Sequence, residues 1–336
     1  MVDLWSTFDA AAQFRLALEV ATRRLPQWRR LYPNVVAAGA GYRLRGNARH
    51  EEICVRIVVE RKWTGRARGG AARPGALPSV LRVALPGGGG RHALIPVDVV
   101  ERPRGRPAST LVLTDGVRVI DGSRDLGAGS ICCLVRDAQR PGDRYLLSCH
   151  HVLTGSGAVP DFSVDPNALT TLPDGEVIAT LAQWAPLRFN VGFGTDAALA
   201  RVVEPQVTDI TAWGRGIRRI GVLGELPRPL FLLARRMTRT ASGQPVVRTA
   251  PLPAQMVGVD VNVRFNYGNR QVGITRVIQY EAATEGGDSG AALIGADGSL
   301  YGMHFYEDAQ GRSYALTVAE MFLESPFAID IRLVAA

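Results

Sequence analysis

At 336 residues, with hydrophobic side chains at 46% and charged ones at 21%, the chain is long enough for about two domains of roughly 150 residues and has the balance of a folded globular protein. That composition excludes a disordered chain, and no apolar run approaches the roughly 18 residues of a membrane-spanning helix. The net charge of +8 comes almost wholly from arginine, Lys62 being the only lysine, and the arginines are spread along the chain, which reads as solvated surface rather than as a nucleic-acid footprint.

The N-terminal segment has no basic stretch followed by an unbroken apolar run, because Asp9, Gln13, Arg15 and Glu19 interrupt it, so an export signal is not expected. Four cysteines, two of them adjacent at Cys132 and Cys133, do not make a disulfide framework, and a cytoplasmic location follows. Residues 6–25 are predicted as a helix capped by Ser6 or Thr7, with Phe8, Ala11, Phe14, Leu18 and Ala21 at helical spacing and Pro26 as the stop. Strand-like stretches follow at 35–45, 51–61 and 92–102, the second alternating through Ile53, Val55, Ile57 and Val59. Together they predict a small α+β domain over 1–106, ending in the linker-like stretch 102–109. The Arg- and Gly-rich stretch 61–75 holds one aromatic, too few for a nucleic-acid groove, and reads as a surface loop.

From about 108 onward, short β-rich runs alternate with Gly- and Asp-containing turns, the pattern of an antiparallel barrel or sandwich over 107–336. A last helix is expected at 315–324. The stretch 203–260 gives no strand register.

Three segments of this region belong together. SCHHVLTG (148–155) ends an apolar strand in histidine, GTDAALARV (194–202) puts an aspartate before an apolar strand, and EGGDSGAAL (285–293) sets a serine in a glycine-flanked turn. Singly each is an ordinary turn or strand end. In the order His, Asp, Ser they are the parts of an activated nucleophile, since a serine hydroxyl attacks only when an imidazole takes its proton and a carboxylate holds that imidazole in the right tautomer.

At these residues the sequence resembles the chymotrypsin-fold serine peptidases, in particular bacterial and plant trypsin-like proteins with an extra N-terminal domain. The resemblance spans about 108–325 and rests on SCHHVL, TDAALA and GGDSGA. It implies a double antiparallel β-barrel, His151 as base, Asp196 as its orienter and Ser289 as nucleophile, with His150 the rival base. Gly286 and Gly287 would let the chain turn so that the Gly287 and Ser289 amides form an oxyanion hole. In secreted relatives a newly cut N-terminus satisfies the residue at Asp288. No such start sequence is visible here, so the N-terminal domain or an activating partner is expected to order that loop.

The position six before the nucleophile, acidic in relatives that cut after Lys or Arg, is Ala283. Thr284 lies five before Ser289, and His304 fifteen after it. That pairing is similar to glutamyl endopeptidases and to viral proteases selecting Gln or Glu, since a histidine and a hydroxyl can both donate to a carboxylate or amide. Glu281, Glu285 and Glu307 nearby would oppose an acidic side chain if they faced the pocket.

The expected activity is therefore that of a serine endopeptidase acting on a protein or peptide, without cofactor or metal, and without membrane or nucleic-acid partners. Zinc held by Cys132, Cys133, Cys149, His150 and His151 is disfavoured because adjacent cysteines and adjacent histidines converge poorly on one tetrahedron, and alternation through Tyr145, Leu147 and Cys149 reads as a strand face. The alternatives are a silent protease-like scaffold and a nucleic-acid-associated module using 61–75.

Overall fold

The computed structural model describes residues 3–45, 48–60, 77–85, 91–101, 105–107, 117–121, 124–154, 169–171, 177–185, 187–188, 192–202, 217–226, 228–239, 245–267 and 270–334. The Arg-rich stretch 61–75 and most of the linker at 102–109 lie outside them.

The first helix, α1, covers Ala10–Leu31 rather than 6–25. Residues Trp5–Thr7 form a separate 3-10 turn, and the cap is Asp9, whose carboxylate accepts the Ala12 N–H at 2.6 Å. Pro26 sits inside the helix instead of ending it. Proline deletes one backbone donor, but Leu25 and Trp28 flank it at 3% and 4% exposure, and their burial carries the last turn through.

The strands of this first segment are β1 (Val35–Arg45), β2 (Ala48–Val59), β3 (Val80–Ala84), β4 (His92–Glu101) and the short β5 (Gly105–Pro107). β1 pairs antiparallel with β2, β2 parallel with β4, and β4 antiparallel with β3. α1 packs over this sheet through Phe14, Ala17, Ala21 and Trp28, in one core with Ile53, Val55 and Ile57.

Two β bodies follow. The first contains β6 (Val117–Asp121), β7 (Arg124–Gly129), β8 (Cys133–Asp137), β9 (Arg144–Ser148), the one-turn helix α2 (His150–Leu153), β10 (Leu169–Thr171), β11 (Val177–Trp184) and β12 (Ala198–Val202). The second contains β13 (Arg219–Ile220), β14 (Leu230–Arg239), β15 (Pro245–Tyr267), β16 (Arg270–Glu281), β17 (Ala292–Gly295), β18 (Ser299–Asp308) and β19 (Ser313–Thr317). Helix α3 (Val318–Leu323) and strand β20 (Ile331–Leu333) end the chain, α3 being shorter than the 315–324 expected because Ala315–Thr317 belong to β19.

β20 returns to β8, giving an eight-stranded antiparallel sheet in the order β20, β8, β9, β12, β11, β10, β6, β7. In the second body the order β14, β17, β18, β19, β16, β15 is closed by pairing of β14 with β15 into a six-stranded antiparallel barrel. The chain is thus mainly β, a double antiparallel barrel architecture preceded by α+β structure. Phe265, Phe305, Tyr306 and Tyr314 fill the second barrel, Phe265 lying 4.8 to 5.2 Å from the other three ring centres.

The N-terminal sheet is continuous with this barrel. β1 pairs antiparallel with β15, Gly39 opposite Asp260 and Gly41 opposite Gly258. A Cβ at Gly39 would stand 1.9 Å from the Val259 carbonyl oxygen, so the approach admits only glycine there. Across the seam Arg56, 2% exposed, lays its guanidinium against Asp260 at 3.6 Å and donates to the Gln279 side-chain oxygen at 2.5 Å. Gln279 donates onward to the Tyr314 hydroxyl at 2.9 Å, which donates to Asp308 at 3.0 Å. Burial raises the Asp260 pKa, and the Arg56 charge opposes that rise. Arg56→Ala strands this carboxylate without its counter-ion and should cost roughly 3–5 kcal/mol in urea unfolding, whereas a loss below 1 kcal/mol would show that the pair is not buried in solution.

Candidate active site

β9 runs inward through buried Tyr145 and Leu147 and stops at Ser148, where the chain turns into α2. Both histidines of α2 are buried, at 0% and 2% exposure. His150 is tied by Nδ1 to the Ala185 carbonyl at 3.2 Å, and burial lowers its pKa. His151 instead places Nδ1 2.5 Å from Asp196 Oδ2, and its backbone N–H donates to Asp196 Oδ1 at 3.1 Å. Register delivers the carboxylate, because Ala198 of β12 pairs with Ser148 of β9 in antiparallel sense, which sets Asp196 beside α2.

Asp196 is fully buried. Burial alone would raise its pKa, but the His151 charge and hydrogen bond, helped by His150 and Tyr267, hold it down at about 2. An ionised Asp196 accepts a hydrogen bond from the Nδ1–H of His151, a tautomer that leaves Nε2 as the basic nitrogen.

Tyr267 lies outside the three segments that the sequence marks. It closes β15, in the second barrel, and its hydroxyl donates to Asp196 Oδ2 at 2.6 Å while its ring meets His151 edge-on with centroids 6.3 Å apart. Burial first, and the Asp196 charge next, raise the tyrosine pKa well above normal, so it remains a donor. No local signal in the sequence marks it, because its partner Asp196 lies 71 residues away. Tyr267→Phe should lower kcat/KM about tenfold, the worth of one hydrogen bond to a buried charge, while urea unfolding still gives a single cooperative transition. An unchanged kcat/KM would remove Tyr267 from the machinery.

Ser289 lies in a turn clamped from both bodies. Its carbonyl accepts the Ser130 N–H at 2.7 Å, Ser130 Oγ donates to the Gly287 carbonyl at 2.8 Å, and Ser148 Oγ donates to the Ser130 carbonyl at 2.6 Å. On the other side the Gly290 N–H donates to the His304 carbonyl at 2.8 Å. Gly287 and Gly290 hold φ of +98° and +94°, and a Cβ at Gly290 would fall 1.9 Å from the Ser130 oxygen. The Asp288 carboxylate accepts the Glu285 N–H at 2.8 Å, so the turn is braced by one of its own side chains. Neither the Gly287 nor the Ser289 amide donates to a backbone acceptor among the described residues. Ser289 Oγ and His151 Nε2 are both buried, and neither bonds another protein group among those residues.

The residues expected to line a specificity pocket gather at one corner of the second barrel. His304, fully buried on β18, has Nδ1 2.7 Å from the Tyr280 hydroxyl, a partner the sequence analysis missed. Thr284 Oγ1 lies 3.0 Å from Ser313 Oγ, and Ser313 of β19 pairs with Tyr280 of β16. Ala283 is exposed.

Cys149, His151 and Asp196 bring ligand-type atoms within 4.8 Å of one another, but their chemistry does not fit a metal. The Cys149 thiol bonds the His304 carbonyl at 3.2 Å, and burial with the nearby Asp196 charge raises its pKa well above the usual thiol value. A protonated thiol is neither a nucleophile nor a good ligand.

No protein-family model matches the chain, and no curated protein does. Among solved structures, it is similar to the active form of the Rv3671c protease of M. tuberculosis (17% identity, 61% of this chain and 75% of that one, TM-score 0.38). It is also similar to the chymotrypsin of Cellulomonas bogoriensis (15%, 66% and 98%, TM-score 0.37) and to the HtrA-type protease AlgW with a decapeptide (16%, 60% and 53%, TM-score 0.33). Likenesses this distant lend nothing to the reading of the site, which stands on its local geometry. No helix among the described residues is long and apolar enough to cross a membrane.

Proposed function

We propose that the chain is a serine endopeptidase of the chymotrypsin type, with Ser289, His151 and Asp196 as its triad. The observation that carries this reading is the fully buried His151–Asp196 pair at 2.5 Å, and it is supported by a buried serine in a glycine turn whose Gly287 and Ser289 amides have no backbone acceptor among the described residues. His151 Nε2 accepts the Ser289 hydroxyl proton as Oγ attacks the peptide carbonyl, and Asp196 stabilises the imidazolium that forms. The Gly287 and Ser289 N–H groups receive the oxyanion. The same proton passes to the departing amine, and a water molecule, deprotonated in turn by His151, releases the acyl group from Ser289.

For specificity the proposal is Glu or Gln on the acyl side of the cut, recognised by His304 and Thr284 with Ala283 adding no charge. Tyr280 supports it by fixing the His304 ring, so that the imidazole presents Nε2 in one orientation. The N-terminal 1–106 is proposed as a regulatory or docking domain. A cytoplasmic site of action is supported by Cys54, Cys132, Cys133 and Cys149, all buried free thiols.

A fluorophosphonate probe read by intact mass tests the chemistry, and cleavage profiling on a denatured proteome tests the specificity. A mass increment in the wild type that is lost in Ser289→Ala is the expected result. An unlabelled wild type overturns the peptidase reading, and a preference for Lys or Arg overturns the pocket assignment.

A further inference from the structure

The specificity strand β18 has two edges. Along one it pairs with β19, from Gly302 opposite Thr317 to Glu307 opposite Ser313. Along the other it pairs with β17 only as far as Met303, and His304 closes that contact by exchanging bonds with Gly290 and Ala291. Past His304, β17 no longer covers this second edge, which begins at the residue that bonds the neighbour of Ser289. A peptide laid along it as an added strand would run directly past the nucleophile.

That edge is taken. β5 pairs antiparallel with it, Pro107 opposite Tyr306, Arg106 opposite Glu307 and Gly105 opposite Asp308. Because Tyr306 and Glu307 also pair with β19, β5 must lie on the other side, the side of Ser289. Its polarity is also informative. From Gly105 to Pro107 the chain travels from Asp308 toward His304, and Tyr306 is roughly 7 Å along the strand from His304.

We infer that the open edge of β18 is the docking edge for an extended peptide and that the chain's own Gly105–Pro107 occupies it, so that the enzyme holds a substrate-like strand against itself and any protein substrate must displace it. This rests on the peptidase reading above. Three residues of strand pairing make a weak lock, one that a longer peptide with side chains in the pocket can outcompete. A small reagent that reaches Ser289 without using the edge meets no such competition.

The test compares full-length wild type with Arg106→Pro, in which the proline removes a strand donor and forbids regular pairing. The inactivation rate is measured with a compact fluorophosphonate and with a tripeptidyl phosphonate. In the variant the peptidyl rate should rise about tenfold while the compact one stays within about twofold, because only the first depends on the fraction of molecules with a vacant edge. A peptidyl rate that is unchanged or lower overturns the inference. Hydrogen exchange at the Arg106 amide in the wild type gives a second reading that needs no activity. Slow exchange supports the cis strand even if neither reagent reacts, which would sink the peptidase reading alone, and random-coil exchange overturns the cis strand.

Discussion

Ser289→Ala and His151→Ala are each expected to lower the turnover of a cleaved peptide by about 10⁵–10⁶, and the double variant should be no slower than either. The reason is mutual dependence. Without His151 the Ser289 hydroxyl keeps its proton, and without Ser289 the imidazole has no nucleophile to activate. What survives in all three should be the modest acceleration given by the Gly287 and Ser289 amides and by substrate binding. Steady-state hydrolysis of one peptide by the four chains measures this. Losses that simply multiply in the double variant would mean that the two residues do not act as a unit.

Asp196→Asn is the second large effect, a fall of about 10⁴ in kcat. The fold should survive, since an amide has nearly the carboxylate's shape: its oxygen, in the place of Oδ1, can still accept the His151 backbone N–H, and its NH2, in the place of Oδ2, can donate to the Tyr267 hydroxyl oxygen. Its NH2 group, however, favours the wrong His151 tautomer, with the proton moved to Nε2 where Ser289 needs a base. The same variant tests acid stability. The Asp196 pKa is about 2 in the folded chain and about 3.9 in an unfolded one, so its contribution is complete above about pH 4 and disappears as pH falls toward 2. Urea unfolding at several acidic pH values should therefore show a shallower decline in the asparagine variant, and parallel declines would refute the coupling.

The triad segments were legible because each combines a strand end with a turn whose residue types are chemically unusual in that place. The SCHHVL block stops β9 where His151 reaches the Asp196 carboxylate just ahead of β12, and GGDSG holds positive φ at Gly287 and Gly290. Other features were invisible for definite reasons. Tyr267 and Tyr280 act through contacts with residues far away in sequence, Asp196 and His304, and nothing local distinguishes them from core tyrosines. Pro26 suggested a helix end because local propensity knows nothing of the pocket that buries Trp28. The strand at 35–45 was legible, but the reason for its small residues was not, since what selects Gly39 is the backbone of β15.

The seam between β1 and β15 decides whether either part of the chain can stand without the other. Peel β1 away and β15 is left with a bare row of backbone donors and acceptors at the positions that β1 now covers, a template for self-association. Beside it Asp260 would sit with no cation. A chain trimmed to 107–336 should therefore be recovered as aggregate rather than as a smaller enzyme, and size-exclusion chromatography would show it. The first hundred residues and the barrel thus share one sheet, and neither can lose the other without baring a strand edge.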